Sequence, residues 1–140
     1  MLLEVAEQHS ARYIIANDPD ADRLSLAERL EDGEWRVYNG NEIAALLVSF
    51  LLRSEQFAKV RSQVEGAGRV AMLTTCVSSK LLKAVCEKEG LKYGETLTGF
   101  KYLGNLACEM KKAGDEVVFM FEEAIGMTAV LIKVRAFNKR

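Results

Sequence analysis

Residues 116–121 read Glu-Val-Val-Phe-Met-Phe, with Asp115 before them and Glu122-Glu123 after. A strand with one wet face alternates apolar and polar side chains, because successive residues point to opposite sides of the sheet. This run offers apolar side chains to both sides, so it predicts a strand covered on both faces, as in a parallel sheet between helical layers. The flanking sequence supplies such layers. Ile43, Leu46, Leu47 and Phe50 recur at helical spacing, predicting a helix over about 42–53, with Asn39-Gly40-Asn41 breaking the chain before it and offering a cap. Val70–Thr74 predicts a strand. Ser78 or Ser79 can cap a helix whose buried side is Leu81, Leu82, Val85 and Cys86, with Gly90 as its stop. Leu91–Leu97 predicts a strand, and Leu103, Leu106, Ala107 and Met110 line a helix closed by Gly114. A last strand is expected within 129–137. Residues 54–68 are charged and polar and end in Gly66-Ala67-Gly68, which predicts a mobile connection. From residue 42 onward helix and strand alternate, the pattern of an α/β layer with mostly parallel strands.

The first forty residues read differently. Residues 2–10 resemble the tail of a helix, and 12–16 a buried strand. Leu24–Leu30 and Glu34–Tyr38 flank Asp32-Gly33, a hairpin signal. The chain has 140 residues, 49% hydrophobic, with a formal net charge of -1. That balance, without any basic tract, argues against nucleic acid as a partner. The longest apolar stretch, Ile43–Leu52, is too short to span a bilayer, and no secretory signal is expected, which points to a cytoplasmic setting. Cys76, Cys86 and Cys108 lack metal-site spacing and are expected to be small buried hydrophobes of a reducing compartment. His9, the single histidine, is expected at the surface of the early helix.

The chemistry-bearing segment is Asn17-Asp18-Pro19-Asp20-Ala21-Asp22-Arg23, directly after the apolar run Tyr13-Ile14-Ile15-Ala16. Three carboxylates at alternate positions can aim inward at one point. Such crowding is relieved by a hard divalent cation such as Mg²⁺, which keeps open positions for water or phosphate. A solvated acidic turn is the commoner reading of any acidic loop, weakened here by apolar strands on both sides. An EF-hand fails, because Arg23 occupies the glycine position and Arg29 the bidentate glutamate position. An aspartyl-nucleophile phosphatase would need downstream elements that have no match here.

Ligands of α/β layers gather at the carboxyl ends of strands. Here those ends are Thr74-Thr75, Thr98-Gly99-Phe100-Lys101 and Glu122-Glu123-Ala124-Ile125-Gly126. The second, at a helix start with a lysine, suits an anionic or polyhydroxyl ligand, although a plain helix cap would look the same. The third offers carboxylates to vicinal diols, although a charged strand end is common.

Taken in this order, the three loops resemble those of the α-D-phosphohexomutase superfamily, in the phosphoglucomutase branch that includes phosphopentomutases and glucose-1,6-bisphosphate synthases. Asp18-Pro19-Asp20-Ala21-Asp22-Arg23 resembles its magnesium loop. Gly94 to Lys101, continued by Tyr102-Leu103-Gly104-Asn105, resembles its loop that distinguishes sugar orientation. Phe121-Glu122-Glu123-Ala124-Ile125-Gly126 resembles its sugar-binding loop. The resemblance runs from about residue 3 to 127. It implies Asp18, Asp20 and Asp22 as Mg²⁺ ligands, with Arg23 beside a phosphoserine or substrate phosphate. Thr98, Gly99, Phe100 and Lys101 would read the sugar, and Glu122 would bind ring hydroxyls. Ala124 stands where many relatives carry serine, and Met127 replaces an expected aromatic residue. Residues 128–140 do not match the segment that supplies the relatives' acid/base lysine, so Lys133 is not given that role.

The implied architecture is the end of one phosphohexomutase domain (1–39, with the metal loop) plus most of a three-layer α/β domain (40–140, atypical after 127) with a mixed, mostly parallel sheet. The implied chemistry interconverts sugar 1-phosphates and 6- or 5-phosphates through a phosphoserine and a sugar bisphosphate. The family's Ser-His loop and its final phosphate loop have no counterpart here, and Gln8-His9-Ser10-Ala11 is not a substitute. The chain is therefore expected to be an inactive fragment of a sugar-phosphate mutase. The alternatives are a non-catalytic module for Mg²⁺ or sugar phosphate, a degenerate gene product, or an interaction domain whose loops serve only folding.

Overall fold

The computed structural model describes residues 2–64 and 69–129. In chain order the elements are α1 (Leu2–Gln8), β1 (Tyr13–Asn17), β2 (Leu24–Arg29), β3 (Trp35–Tyr38), α2 (Gly40–Arg53), α3 (Glu55–Gln63), β4 (Val70–Thr75), α4 (Leu81–Glu89), β5 (Lys92–Thr96), α5 (Phe100–Lys112), β6 (Glu116–Glu122) and β7 (Gly126–Ala129). They form two sheets, β1-β2-β3 and β5-β4-β6-β7.

The first sheet is an antiparallel meander. Its β2–β3 turn has Gly33 at φ 89°, with Asp32 Oδ1 accepting from Glu34 N at 3.0 Å. The hairpin expected around Asp32-Gly33 is present. The expected burial of β1 is not: its residues alternate, and Ile15 is 69% exposed. Among the described residues β1 is an edge strand paired only with β2, and its apolar character is not matched by a covering layer on the Tyr13–Ile15 side.

The second sheet has β4 at its centre, parallel to β5 and to β6, with β7 antiparallel on the β6 edge. All six residues of β4 are buried, as a strand with neighbours on both sides and helices on both faces should be. The β4–β6 register slips between Ala71 and Met72, which leaves Val118 as the extra residue of a bulge. One face of the sheet carries α5: Gly94 of β5 lies under Leu106 and Met110, where a larger residue would collide with Leu73 and Leu106. The other face packs Met72, Val118 and Phe121 with Ala44, Val48 and Leu51 of α2, Phe57 of α3, and Leu82 and Cys86 of α4. Burying each large side chain of this kind contributes about 1.5–3 kcal/mol. The layer order is helix, mixed sheet, helix.

Helix α2 begins with a capping box: Asn39 Oδ1 accepts from Glu42 N at 3.0 Å, and Glu42 Oε2 accepts from Asn39 N at 2.9 Å. Its buried stripe is Ile43, Ala44, Val48 and Leu51, whereas Leu46 and Phe50 are exposed. The expected connection at 54–68 contains a helix instead. Ser54 caps α3, its Oγ accepting from Phe57 N at 3.1 Å and donating to Leu51 O at 2.7 Å. One buried residue, Phe57, anchors a helix whose other positions are mostly polar, so composition hid it. Residues 65–68 of that segment lie outside the described residues. Helix α4 starts at Leu81 with Lys80 in the cap position; Ser79 Oγ accepts from Leu81 N at 3.2 Å and so supplies a capping bond, whereas Ser78 does not, and Leu81 itself is exposed. Gly90 ends α4 in the left-handed conformation, φ 67°, as expected. The last described strand is Gly126–Ala129, short of the 129–137 expectation, most of which lies outside the described residues. Of the cysteines only Cys86 is buried; Cys76 sits just past β4 and Cys108 on the outer side of α5, both exposed. His9 is exposed, one residue beyond α1.

Candidate functional site

The acidic loop leaves β1 at Asn17 and re-enters β2 at Leu24. Ala21 N donates to Asp18 O at 3.0 Å, closing a tight turn, and Ala21 takes a left-handed φ of 59°. An alanine in that region costs about 1–2 kcal/mol, so the loop is held there by its other bonds. Asn17 Nδ2 donates to Arg23 O at 2.8 Å, and Arg23 N donates to Asp18 Oδ1 at 3.0 Å. The folded loop brings Asp18, Asp20 and Asp22 together at its surface: one oxygen from each lies within 4.8 Å of the others. Three hard oxygen donors so close fit a small divalent cation. Without one, the hydrogen bond between the Asp18 and Asp20 carboxyls holds Asp18 far below the usual carboxylate range and pushes Asp20 up; Arg23 adds to the depression at Asp18. Both Asp18 oxygens are in use: Oδ1 by Arg23 N, and Oδ2 by Arg23 Nε and Nη2, each at 2.7 Å.

The acidic loop is bonded to the second sheet. Arg23 bridges Gly126 in antiparallel fashion, and Leu24 N donates to Ile125 O at 3.2 Å. Ile125 also has a left-handed φ of 62°, unusual for a β-branched residue. The result is an open pocket of about 360 Å³ lined by the polar Asp22, Arg23 and Glu122 and by the apolar Phe100, Ala124 and Met127. Gly99 precedes α5 with φ 110°, and its N–H donates to Glu122 Oε1 at 2.9 Å. That bond ties the 98–101 turn to the 122–126 turn and leaves the other Glu122 oxygen for a ligand. The Phe100 ring packs over Gly126, where an added Cβ would lie 3.0 and 3.1 Å from two ring carbons.

Five of the sequence-derived residues, Asp22, Arg23, Phe100, Glu122 and Ala124, therefore line one pocket, and Gly99 supports it through Glu122. Asp18 and Asp20 lie beside Asp22 in the acidic loop without lining the pocket, and Thr98 and Lys101 are exposed and do not line it either. Gly126 and Thr128 also line it and carry no sequence signal as ligand residues. A second group that motif reading missed is Thr75, Ser78 and Glu123, joined by hydrogen bonds behind the pocket wall. The available signal was the Thr74-Thr75 pair ending an otherwise apolar strand.

Comparison with known proteins agrees with this geometry. Residues 39–131 match the phosphoglucomutase/phosphomannomutase alpha/beta/alpha domain III. The chain is 49% identical over 123 residues to a Homo sapiens phosphopentomutase, covering 87% of this chain and 20% of that protein. It is 46% identical over 134 residues to a Homo sapiens glucose 1,6-bisphosphate synthase, covering 94% of this chain and 21% of that protein. Thus the chain spans about a fifth of the length of these relatives. Among solved structures, Aspergillus fumigatus N-acetylphosphoglucosamine mutase in complex with GlcNAc-6P and magnesium superposes with a TM-score of 0.56 at 24% identity, over 83% of this chain and 22% of that one. At that identity the likeness is one of fold. A matching domain over most of the chain, together with the α/β/α layers and the paired loops, shows that this chain belongs to the phosphoglucomutase/phosphomannomutase family.

Proposed function

We propose that this chain carries the cation-binding and sugar-reading part of a phosphosugar mutase. Such an enzyme interconverts sugar 1-phosphates and 6- or 5-phosphates by moving a phosphoryl group through a sugar bisphosphate. The division at residue 39/40 is read the same way: β1–β3 with the acidic loop end one domain, and α2 opens the next. The observation that supports the reading is the Arg23–Gly126 bridge, through which the acidic loop and the Glu122 loop share one pocket.

Asp18, Asp20 and Asp22 would hold a Mg²⁺ ion, which when bound neutralises charge on a transferring phosphoryl group. Phosphoryl transfer asks the protein mainly for position and charge balance. Arg23 supplies a planar guanidinium suited to a phosphate. That guanidinium is paired with Asp18 Oδ2, and it would be available to a phosphate where Asp18 instead held a cation. Glu122, steadied by Gly99 N–H, accepts from sugar hydroxyls with its free oxygen, and Phe100 and Met127 give the carbon face of the ring an apolar wall. Thr98 and Lys101, exposed just outside the pocket, would meet only the outer part of such a ligand.

No Ser-His pair is present to serve as phosphoryl carrier, so the 140 residues bind without turnover. Calorimetric titration of the chain with Mn²⁺ and then glucose 1,6-bisphosphate tests the reading. Heat is expected for both, with Asp20→Asn losing most of the first. Identical cation heats for the two proteins would remove the metal site, and robust mutase turnover by the pure chain would remove the carrier argument.

A further inference from the structure

We propose that Thr75 and Ser78 are positioning residues that aim the Glu122 carboxylate through its neighbour Glu123; this rests on Glu122 as a sugar contact. Thr75 is 0% exposed and Ser78 4%. Hydroxyls so buried must find partners, and here both converge on Glu123. Ser78 Oγ donates to Glu123 Oε2 at 3.0 Å and accepts from Glu123 N at 3.1 Å, so one hydroxyl holds both the side chain and the backbone of that residue. Thr75 Oγ1 lies 2.7 Å from Ser78 Oγ and 3.2 Å from Glu123 Oε2. Two hydroxyl protons serve three oxygen–oxygen contacts. The shortest arrangement is Thr75 donating to Ser78 and Ser78 to Glu123.

Glu123 is fixed from a second direction as well. Its carbonyl lies against Gly40 at the start of α2, so closely that a Cβ there would fall 2.8 Å from the carbonyl carbon. Asn41 Oδ1, one residue on, accepts from Ser79 N at 2.8 Å, which ties α2 to the turn carrying Ser78. Glu123 Oε2 is therefore held by the two buried hydroxyls, and Glu123 does not line the pocket. Consecutive side chains leaving a strand point to opposite sides. With Glu123 pinned inward, Glu122 is turned outward, onto Gly99 N–H and beside Arg23.

The test uses the whole 140-residue chain labelled with ¹⁵N. The Gly99 amide reports the bond to Glu122, and titration with glucose 1,6-bisphosphate in Mg²⁺ reports the site. Ser78→Ala and Thr75→Val each remove one hydroxyl, and Thr75→Ser keeps the hydroxyl while losing the methyl. Ser78→Ala and Thr75→Val are expected to move the Gly99 amide toward its position in Glu122→Gln and to weaken bisphosphate binding about fivefold. Thr75→Ser is expected to leave both readouts in place even though it lowers the melting temperature, which a merely structural role would not do. Should Ser78→Ala fail to fold, the Thr75 pair carries the same comparison. An unmoved Gly99 amide in Thr75→Val overturns the proposal, as does a moved amide with unchanged affinity, or equal effects of Val and Ser at 75. If wild type ignores the bisphosphate, the sugar reading fails by itself while the Gly99 amide still decides the positioning claim.

Discussion

Gly40 is the sharpest point at which to test how α2 is fitted against the candidate site. It is the first residue of α2, is buried, and has no left-handed φ, so its need for glycine is steric and not conformational. A Cβ at this position would lie 2.8 Å from the carbonyl carbon of Glu123 and 3.1 Å from Ile125 N, with the Glu123 oxygen closer still. These are backbone atoms, so no rotamer change relieves the clash. Either α2 or the 123–125 turn must move by about 1 Å, and overpacking of this sort costs about 1–3 kcal/mol. Alanine would regain at most about 0.5–1 kcal/mol of helix propensity. The balance for Gly40→Ala is a loss of about 1–2 kcal/mol, or about 3–8 °C in melting temperature for a chain of this size. Gly104, mid-way along α5, is the internal control: nothing lies within 4 Å of the point where its Cβ would stand, so Gly104→Ala is expected to gain about 0.5–1 kcal/mol. Thermal and urea unfolding followed by circular dichroism read both. A Gly40→Ala protein as stable as wild type, or a Gly104→Ala protein that loses as much, would refute the contact argument.

Three further outcomes are expected. Arg23→Gln frees Oδ2 of Asp18, while Oδ1 stays on the backbone N–H of residue 23, and should tighten Mn²⁺ binding about threefold, a small change because the arginine is half-exposed; calorimetry showing weaker binding would mean that Arg23 assists the cation. Asp115 is buried and takes Lys92 Nζ on both oxygens, at 2.7 and 2.8 Å, between β5 and the start of β6; Asp115→Asn should cost about 1–2 kcal/mol in urea unfolding, discounted for the half-exposed lysine. Burial pushes the Cys86 thiol up to about 11 from an ordinary 9.0, so the folded state holds its proton more tightly than the unfolded chain does. Its contribution is complete below pH 9 and is lost as pH climbs toward 11, and a thiol-exchange assay at pH 8 should show Cys76 and Cys108 reacting fast and Cys86 only on unfolding.

The apolar run at 117–121 announced a strand with helices over both faces, and the sheet carries it so, because burial on two sides leaves no room for alternation. The capping of α2 by Asn39 was legible for a similar reason: the cap bonds are local and need nothing from the rest of the fold. What escaped reading was decided at a distance. Helix α3 depends on one aromatic, Phe57, finding the core beside α2, and no local periodicity displays that. Ser78 looks like a helix cap in sequence, yet its hydroxyl goes to Glu123, forty-five residues on. Leu46 and Phe50 share the spacing of the buried stripe, but the helix is rotated so that Ala44 and Val48 face the sheet. The acidic triplet could be read because its three members are adjacent; that it is bonded to the Glu122 loop could not, because the bridge joins residues about a hundred positions apart.

The charge balance of the pocket gives the proposed reading its order of events. Asp18, Asp20, Asp22 and Glu122 bring four formal negative charges against the single guanidinium of Arg23, which already faces Asp18. Across the few ångströms separating these groups, repulsion of an incoming phosphate outweighs what one shared arginine returns, and partial exposure screens it only in part. A phosphate is therefore disfavoured while these carboxylates are uncompensated; on the proposed reading a divalent cation held by Asp18, Asp20 and Asp22 would offset that charge and leave Arg23 available to the pocket. Phe100, Ala124 and Met127 line the same pocket as Asp22, Arg23 and Glu122, so a ligand that fits combines polar, anionic groups with carbon–hydrogen faces. A sugar phosphate has that shape of polarity, and inorganic phosphate has only half of it.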